Sequence, residues 1–445
     1  MYWKLRLPGV LLLVLSFCRL TAQEKPREYS PYSRFGFGDL TEPHFSALGQ
    51  LAGIAAGFHD RNMLNYSNPA ALGSLRNTAF EGGVSTKFTT LKNQDLSKDF
   101  FGGGLDYLAL GVPIFNPINE ALDRLERKFH WGMLVALKPF SHVGYDVSQI
   151  DSITGTGRYE RRYTGSGGTY EFKWSNGFEY RNFSAGLGLG YLFGRMSYRR
   201  NLDLLAVSLP YSTIFLDEIS VKGFRWNAGL QYRINLNKPV EGESESTKTL
   251  TFGLYGQTSQ SYNTISDHLY RRQLIVSAQV GVVDTVRDEK EIKGRGKLPG
   301  EFHLGVFYSD RYKFQAGGQL SLVSWSAYTN DAKPEILDNS SQFAFGLSWC
   351  PDISSLDNLL KRITYRVGFK AGNDPRSFDG EQLKNYGVTF GVGVPFVFQR
   401  KVSFANFAVE TGSMGLKDKL KSNYLQLKLG FTLNDDEWFL KRKYN

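Results

Sequence analysis

Strict two-residue alternation between apolar and polar or small side chains, repeated many times, is the feature that most limits how this chain can fold. From Phe224 to Leu236 the even positions are Phe224, Trp226, Ala228, Leu230, Tyr232, Ile234 and Leu236. The odd positions are Arg225, Asn227, Gly229, Gln231, Arg233 and Asn235. Phe314, Ala316 and Leu320 stand opposite Lys313, Gln315, Gln319 and Ser321 in the same way. Leu425, Leu427, Leu429, Phe431 and Leu433 stand opposite Gln426, Lys428, Gly430 and Thr432. Between Phe183 and Gly194 the second face is nearly all glycine: Gly186, Gly188, Gly190 and Gly194. A period of two sends successive side chains to opposite faces of a strand. Segments of about ten residues with one greasy and one polar or tiny face read as a transmembrane antiparallel β-barrel.

A soluble β-sandwich also alternates, and two features argue against it. Aromatic residues sit near the ends of the apolar faces (Phe129 and Trp131, Phe224 and Trp226, Tyr424 and Phe431), as in the girdles of a membrane barrel. The connections also differ by side. The pattern gives about 14 strands, an even number as a single-chain barrel requires, near 80–90, 104–113, 129–141, 165–179, 181–195, 222–236 and 248–259, then 299–309, 312–326, 342–350, 363–371, 385–396, 402–411 and 423–433. Links such as 310–311 and 397–401 are short, while 142–164, 196–221, 260–298 and 327–341 are long and fall on the opposite side, expected to be external loops. Two exceptions on the short side, 114–128 and 351–362, read as turn helices, with helical spacing over 118–127.

Mean hydropathy of −0.31 excludes a bundle of membrane-spanning helices. Two cysteines exclude a disulfide scaffold or Cys-rich zinc module. The apolar run Val10–Phe17 follows Lys4 and Arg6 and precedes Ala22, the order of a secretory signal peptide over 1–22. Lipidation at Cys18 is the weaker alternative, because bulky Phe17 precedes it.

Residues 23–79 do not alternate. They hold Ser30–Asp39, a small-residue stretch from Ala47 to Gly57, and a run through Asn62, Asn65, Asn68, Pro69, Ala70 and Leu72. A barrel of this strand number is too wide for wall side chains alone to fill, so an internal plug is expected. The stretch Ala47–Gly57, then Asn65 and Asn68-Pro69-Ala70-Ala71-Leu72, resembles the N-terminal hatch of the FadL/TodX-like outer-membrane transporters of hydrophobic compounds. Trp131–Ser141, Gly165–Gly168, Leu187–Gly194 and Gly391–Pro395 extend the resemblance over most of residues 30–433. It implies a 14-stranded barrel (80–433) with a hatch (23–79) inside, a lateral wall opening, and binding of hydrophobic molecules such as long-chain fatty acids. The Ser30–Asp39 segment and the basic tail over 434–445, with Trp438, Phe439 and Lys441 to Lys443, depart from that pattern.

Phe35, Phe37, Leu51, Ile54 and Phe58 are the candidate ligand contacts; simple plug packing explains them equally well. Asn62, Asn65 and Asn68 are expected to hold the hatch backbone through side-chain hydrogen bonds, with Pro69 and Ala70 completing the motif. No cofactor, metal or enzymatic role is expected: His44, His59, His130, His142, His268 and His303 lack ligand spacing, and no nucleophile elbow occurs. Gly186-Leu-Gly-Leu-Gly190 mimics a phosphate loop, but alternation explains its glycines. The net charge of +10 is scattered, which argues against nucleic acid and for anionic lipids and lipopolysaccharide as surroundings in the outer membrane of a Gram-negative bacterium. The external stretch 155–168, with Arg158, Arg161, Arg162, Tyr159 and Tyr163, is a candidate contact for a polar or sugar partner. Passive uptake of hydrophobic or amphipathic molecules leads the functional readings. A non-enzymatic accessory barrel in an outer-membrane assembly or secretion complex, working with other outer-membrane proteins, comes second, and a rim enzyme last.

Overall fold

The computed structural model describes residues 28–93, 97–115, 127–154, 157–205, 211–237, 247–276, 279–311, 313–416 and 419–435. The signal peptide, most of the helical spacing at 118–127 and the tail beyond residue 435 lie outside the described residues. In chain order the strands are β1 (Asp39–Leu40), β2 (Thr78–Lys92), β3 (Ser97–Pro113), β4 (Phe129–His142), β5 (Tyr145–Ile153), β6 (Gly157–Tyr180) and β7 (Phe183–Leu204). There follow β8 (Tyr211–Asn235), β9 (Lys248–Gln257), β10 (Gln260–Val276), β11 (Gln279–Leu298), β12 (Glu301–Asp310) and β13 (Phe314–Val323). The last are β14 (Thr329–Asn330), β15 (Ser340–Trp349), β16 (Thr364–Phe378), β17 (Glu381–Phe398), β18 (Lys401–Gly415) and β19 (Lys421–Asp435).

Fourteen of these form a closed antiparallel ring, β2–β3–β4–β6–β7–β8–β9–β12–β13–β15–β16–β17–β18–β19, which ends where β19 pairs with β2, Leu433 opposite Phe80. Each strand expected from the alternation overlaps one wall strand. Closure leaves no sheet edge at the seam, so backbone groups there are satisfied without water. The burial is inverted relative to a soluble protein. Phe224 is 79% exposed, and Leu187, Leu189, Phe345 and Leu427 also face outward, while Lys173, Arg366, Lys370, Glu410 and Lys428 are buried. The greasy face looks to lipid and the polar face to the lumen.

The links expected as external loops are largely strand. β5 pairs with the start of β6, Tyr145 opposite Gly165, so 155–168 is mostly wall extension. Within 196–221, β7 runs on to Leu204 and β8 starts at Tyr211, and 260–298 holds the paired strands β10 and β11. The reason lies in the pattern itself: along β7 the outward face runs Leu187, Leu189, Tyr191, Phe193, then Arg195 and Arg199, so alternation continues after the apolar belt has ended. β6 spans 24 residues, against the 9–11 or so that cross a membrane. On the other side, the expected turn helix within 351–362 is present as Leu359–Arg362.

One stretch of wall is open. β3 pairs with β4 only from Leu108 opposite Leu137 to Pro113 opposite Gly132. Among the described residues, Ser97–Tyr107 pairs with β2 alone. Beside β4 at that level stands β1 of the N-terminal segment instead, Asp39 opposite His142 and Leu40 opposite Ser141.

Candidate functional site: the occupied lumen

Residues 28–77 are mostly buried and hydrogen-bond to inward side chains around the whole ring. The Leu64 N–H donates to Glu81 of β2 (2.9 Å), Ser46 N–H to the Tyr107 hydroxyl of β3 (3.0 Å), and Ala55 and Ala56 N–H to Gln319 of β13 (2.8 Å each). Lys173 of β6 donates to the Tyr66 carbonyl (2.9 Å), Gln231 of β8 to the Ala56 carbonyl (2.8 Å), and Arg366 of β16 to Gln50 (2.6 Å). Partners on all sides of a closed ring place the segment in the lumen.

Small wall residues let its backbone come close. A Cβ on Gly253 would lie 1.8 Å from the Ala56 carbonyl oxygen, and one on Gly186 would lie 2.3 Å from the Pro69 carbonyl carbon. Gly186 of β7, with Gly177 of β6 and Gly132 of β4, therefore seats the turn Pro69–Ser74, whose residues are all buried.

Asn65 donates to the Ala55 carbonyl (2.8 Å) and accepts from Ser67 and Asn68 N–H. Asn68 donates to the Ala56 carbonyl (2.7 Å) and caps the following turn by accepting from Ala70 N–H (3.1 Å). These contacts tie the Asn65–Ala70 loop back onto Ala55 and Ala56, satisfying buried carbonyls that would otherwise be costly. The Asn62 side-chain oxygen accepts from the Asn77 amide (2.6 Å).

The candidate ligand residues divide into two groups. Leu51, Ile54 and Phe58 are buried in one packed cluster with Met63, Tyr255, Phe307 and Phe404, and Phe58 meets Phe307 edge-on at 5.4 Å. None of the three lines any of the cavities described below. Phe35 and Phe37 do line one, Phe35 against Phe378 and Phe37 against Phe140 and Tyr262.

Alternation marks inward polar positions without naming their partners, so it did not reveal the ion-pair clusters that join the segment to the wall. Glu42 pairs with Lys370 of β16 and Lys428 of β19 (2.6 Å to the latter), and both lysines also meet Glu410 of β18, at 2.5 and 3.2 Å. Burial pushes the Glu42 carboxyl up, but the two ammonium groups outweigh it and hold the group well below the usual carboxylate range. Asp39 pairs with Arg376, which also donates to the Tyr32 carbonyl (2.8 Å). Glu179 of β6 gathers Arg233 (2.8 Å) and Arg76 (3.3 Å), with the His59 ring accepting from Arg233 at 2.8 Å. Burial pushes the His59 imidazole down to about 4, against the pull of Glu179.

Two cavities flank residues 40–44. One, of about 190 Å³, runs from Phe35, Phe37 and Glu42 to Asp106 of β3 and His142 of β4, the two sides of the open wall. The other, of about 290 Å³, lies between Leu40, His44 and Tyr66 and the wall residues Phe140, Arg225 and Tyr255. Their linings mix aromatic rings with charges of both signs, which suits a molecule with an apolar body and a polar end better than a pure hydrocarbon.

A closed ring of 14 strands, an apolar outer belt, a polar lumen occupied by the N-terminal segment and a break in the wall define the class as a 14-stranded transmembrane antiparallel β-barrel. The Ralstonia pickettii toluene transporter TbuX shares this fold, with a TM-score of 0.53 at 12% identity over 88% of this chain and 99% of that chain. The TodX deltaS2S3 mutant monoaromatic hydrocarbon channel matches with a TM-score of 0.50 at 12% identity, again over 88% and 99%. The chain belongs to the BamG family, whose model matches residues 5–445. A comparison with curated proteins gives no match.

Proposed function

We propose that this protein resides in the outer membrane of a Gram-negative bacterium and gives hydrophobic or amphipathic small molecules, long-chain fatty acids among them, a passive route between its lumen and the bilayer. The unpaired wall at Ser97–Tyr107 carries this reading, because the cavity lined by Phe35 and Phe37 reaches Asp106 and His142 on its two sides. TbuX is a toluene transporter and TodX a monoaromatic hydrocarbon channel, and the shared fold supports the same class of cargo here. On this route the N-terminal segment is the hatch. Its apolar contacts with cargo are Phe35 and Phe37, while Leu51, Ile54 and Phe58 pack in a separate buried cluster. The test is purification from native outer membranes in mild detergent, followed by mass spectrometry of what co-elutes. A stoichiometric amphipathic molecule, lost in Phe35→Ala and Phe37→Ala, supports the route.

A second reading, an accessory barrel in an outer-membrane assembly or secretion complex, is favoured by the ion pairs that fasten the segment from several sides and by wall strands far longer than a membrane crossing. Membership of the BamG family is compatible with either reading. Stable protein partners and no retained small molecule in the same purification select this one.

A further inference from the structure

A third cavity, of about 360 Å³, lies among the extensions of β5 to β8 and β10. It is beyond the apolar belt, because its β7 residues Tyr198 to Arg200 follow Arg195, where the outward face has turned polar. Its volume falls within the small-molecule range of roughly 300–1,000 Å³. Five separate stretches of wall meet there with Arg34 of the N-terminal segment and Lys333 of the link before β15.

The lining is cationic and aromatic. The Arg34 guanidinium lies 4.5 Å from the Tyr163 ring centre and that of Arg200 4.0 Å from Phe215, while the Lys333 ammonium lies 4.4 Å from Tyr198. Neither arginine pairs with a carboxylate among the described residues. A guanidinium stacked on a ring uses its face and leaves its edge donors free, in the fork that matches carboxylate or phosphate oxygens. The one carboxylate of the lining, Asp217, is already engaged by His268 at 2.5 Å and by the Tyr270 hydroxyl at 3.0 Å. Lys333 is partly neutralised by Glu335 at 3.0 Å and donates to the Arg34 carbonyl, so it props Arg34 in place. Both arginines are exposed, so a ligand reaches them from outside.

We propose that this cavity binds an anionic saccharide, with the Arg34 and Arg200 forks on its phosphate or carboxylate and the Tyr163, Tyr198 and Phe215 rings against the C–H face of the sugar. The two kinds of contact favour a ligand carrying both features over either alone: a bare anion gains nothing from the rings, and a neutral sugar leaves the forks unused. The saccharide could come from a surface glycolipid or from solution, and the experiment separates these sources.

The test is calorimetric titration of the full-length protein in detergent with glucose 1-phosphate, glucose, inorganic phosphate and delipidated, phosphorylated core oligosaccharide from lipopolysaccharide. Glucose 1-phosphate or the core oligosaccharide should bind one per chain, at least tenfold tighter than glucose or inorganic phosphate, and more weakly as salt rises. The tighter of the two names the source. Arg34→Gln and Arg200→Gln should each weaken it at least tenfold, and Arg200→Lys, which keeps the charge but loses the fork, should recover part of the loss. Heat-modifiable gel mobility checks that the variants fold; should one glutamine variant fail, the other carries the test. Equal affinity for inorganic phosphate, no binding of either sugar anion, or unchanged binding in the folded variants overturns the assignment.

Discussion

Glu42 and Lys428, 386 positions apart in sequence, meet at 2.6 Å inside the barrel and fasten the N-terminal segment to β19. The pair sits in a quartet with Lys370 and Glu410, two charges of each sign, so its members compensate one another. Removing one partner leaves an unmatched buried charge, a change that costs about 3–5 kcal/mol. Lys428→Met should therefore destabilise the docked segment far more than the double change Glu42→Gln with Lys428→Met. Limited proteolysis within residues 28–77 and a double-mutant cycle on urea midpoints check this.

The same segment should loosen with acid in two ranges. His59 is held at about 4 when folded, below its ordinary value of about 6.5. The unfolded chain thus binds the proton first, and stability is fully present above about 6.5 and declines as pH falls towards 4. The loss is of the order of 3 kcal/mol. Glu42, depressed by its lysines, should keep its ion pairs until still lower pH. His59→Gln should flatten the slope between pH 6.5 and 4 and leave the more acidic transition.

Gly253 faces the Ala56 carbonyl so closely that no side chain fits unless the segment moves. Gly253→Val should leave the ring formed, since Gly253 is outside the closing β19–β2 pair, while freeing residues around Ala56. Heat-modifiable mobility should be retained, with protease cleavage near residues 50–60 rising several-fold.

Along β3, amides of Ser97–Tyr107 that point away from β2 have no sheet partner among the described residues, whereas Leu108–Pro113 lie between β2 and β4. Hydrogen exchange in detergent should show alternate fast amides in the upper half and slow ones below. Uniform protection along β3 would mean the wall is closed in solution.

The ring was legible because its signal is periodic and local: each wall strand announces itself by which side chains alternate, as Phe224–Leu236 and Leu425–Leu433 do. Strand ends were less so. Arg195, Arg199 and Arg200 look like loop residues because apolar character stops at Phe193, although the hydrogen-bonded ladder continues to Leu204. The lumen was legible only in part. Asn65 and Asn68 carry their contacts within 12 residues, so their role follows from local chemistry, while Glu42 finds its lysines on two strands hundreds of residues away. No spacing rule encodes such a meeting. Nor could alternation separate Phe35 and Phe37, which border open space, from Leu51, Ile54 and Phe58, which do not.

The Glu42–Lys428 fastening also dictates an order of events during biogenesis. Glu42 takes one of its anchors from β19, the last strand of the ring, so that contact forms only after Lys428 has emerged. Sequence separations of this size make late docking slow relative to formation of neighbouring hairpins. A nascent chain stalled before residue 428 would lack the Lys428 anchor of Glu42 while still offering the segment Glu81, Lys173, Gln231 and Gln319 on earlier strands.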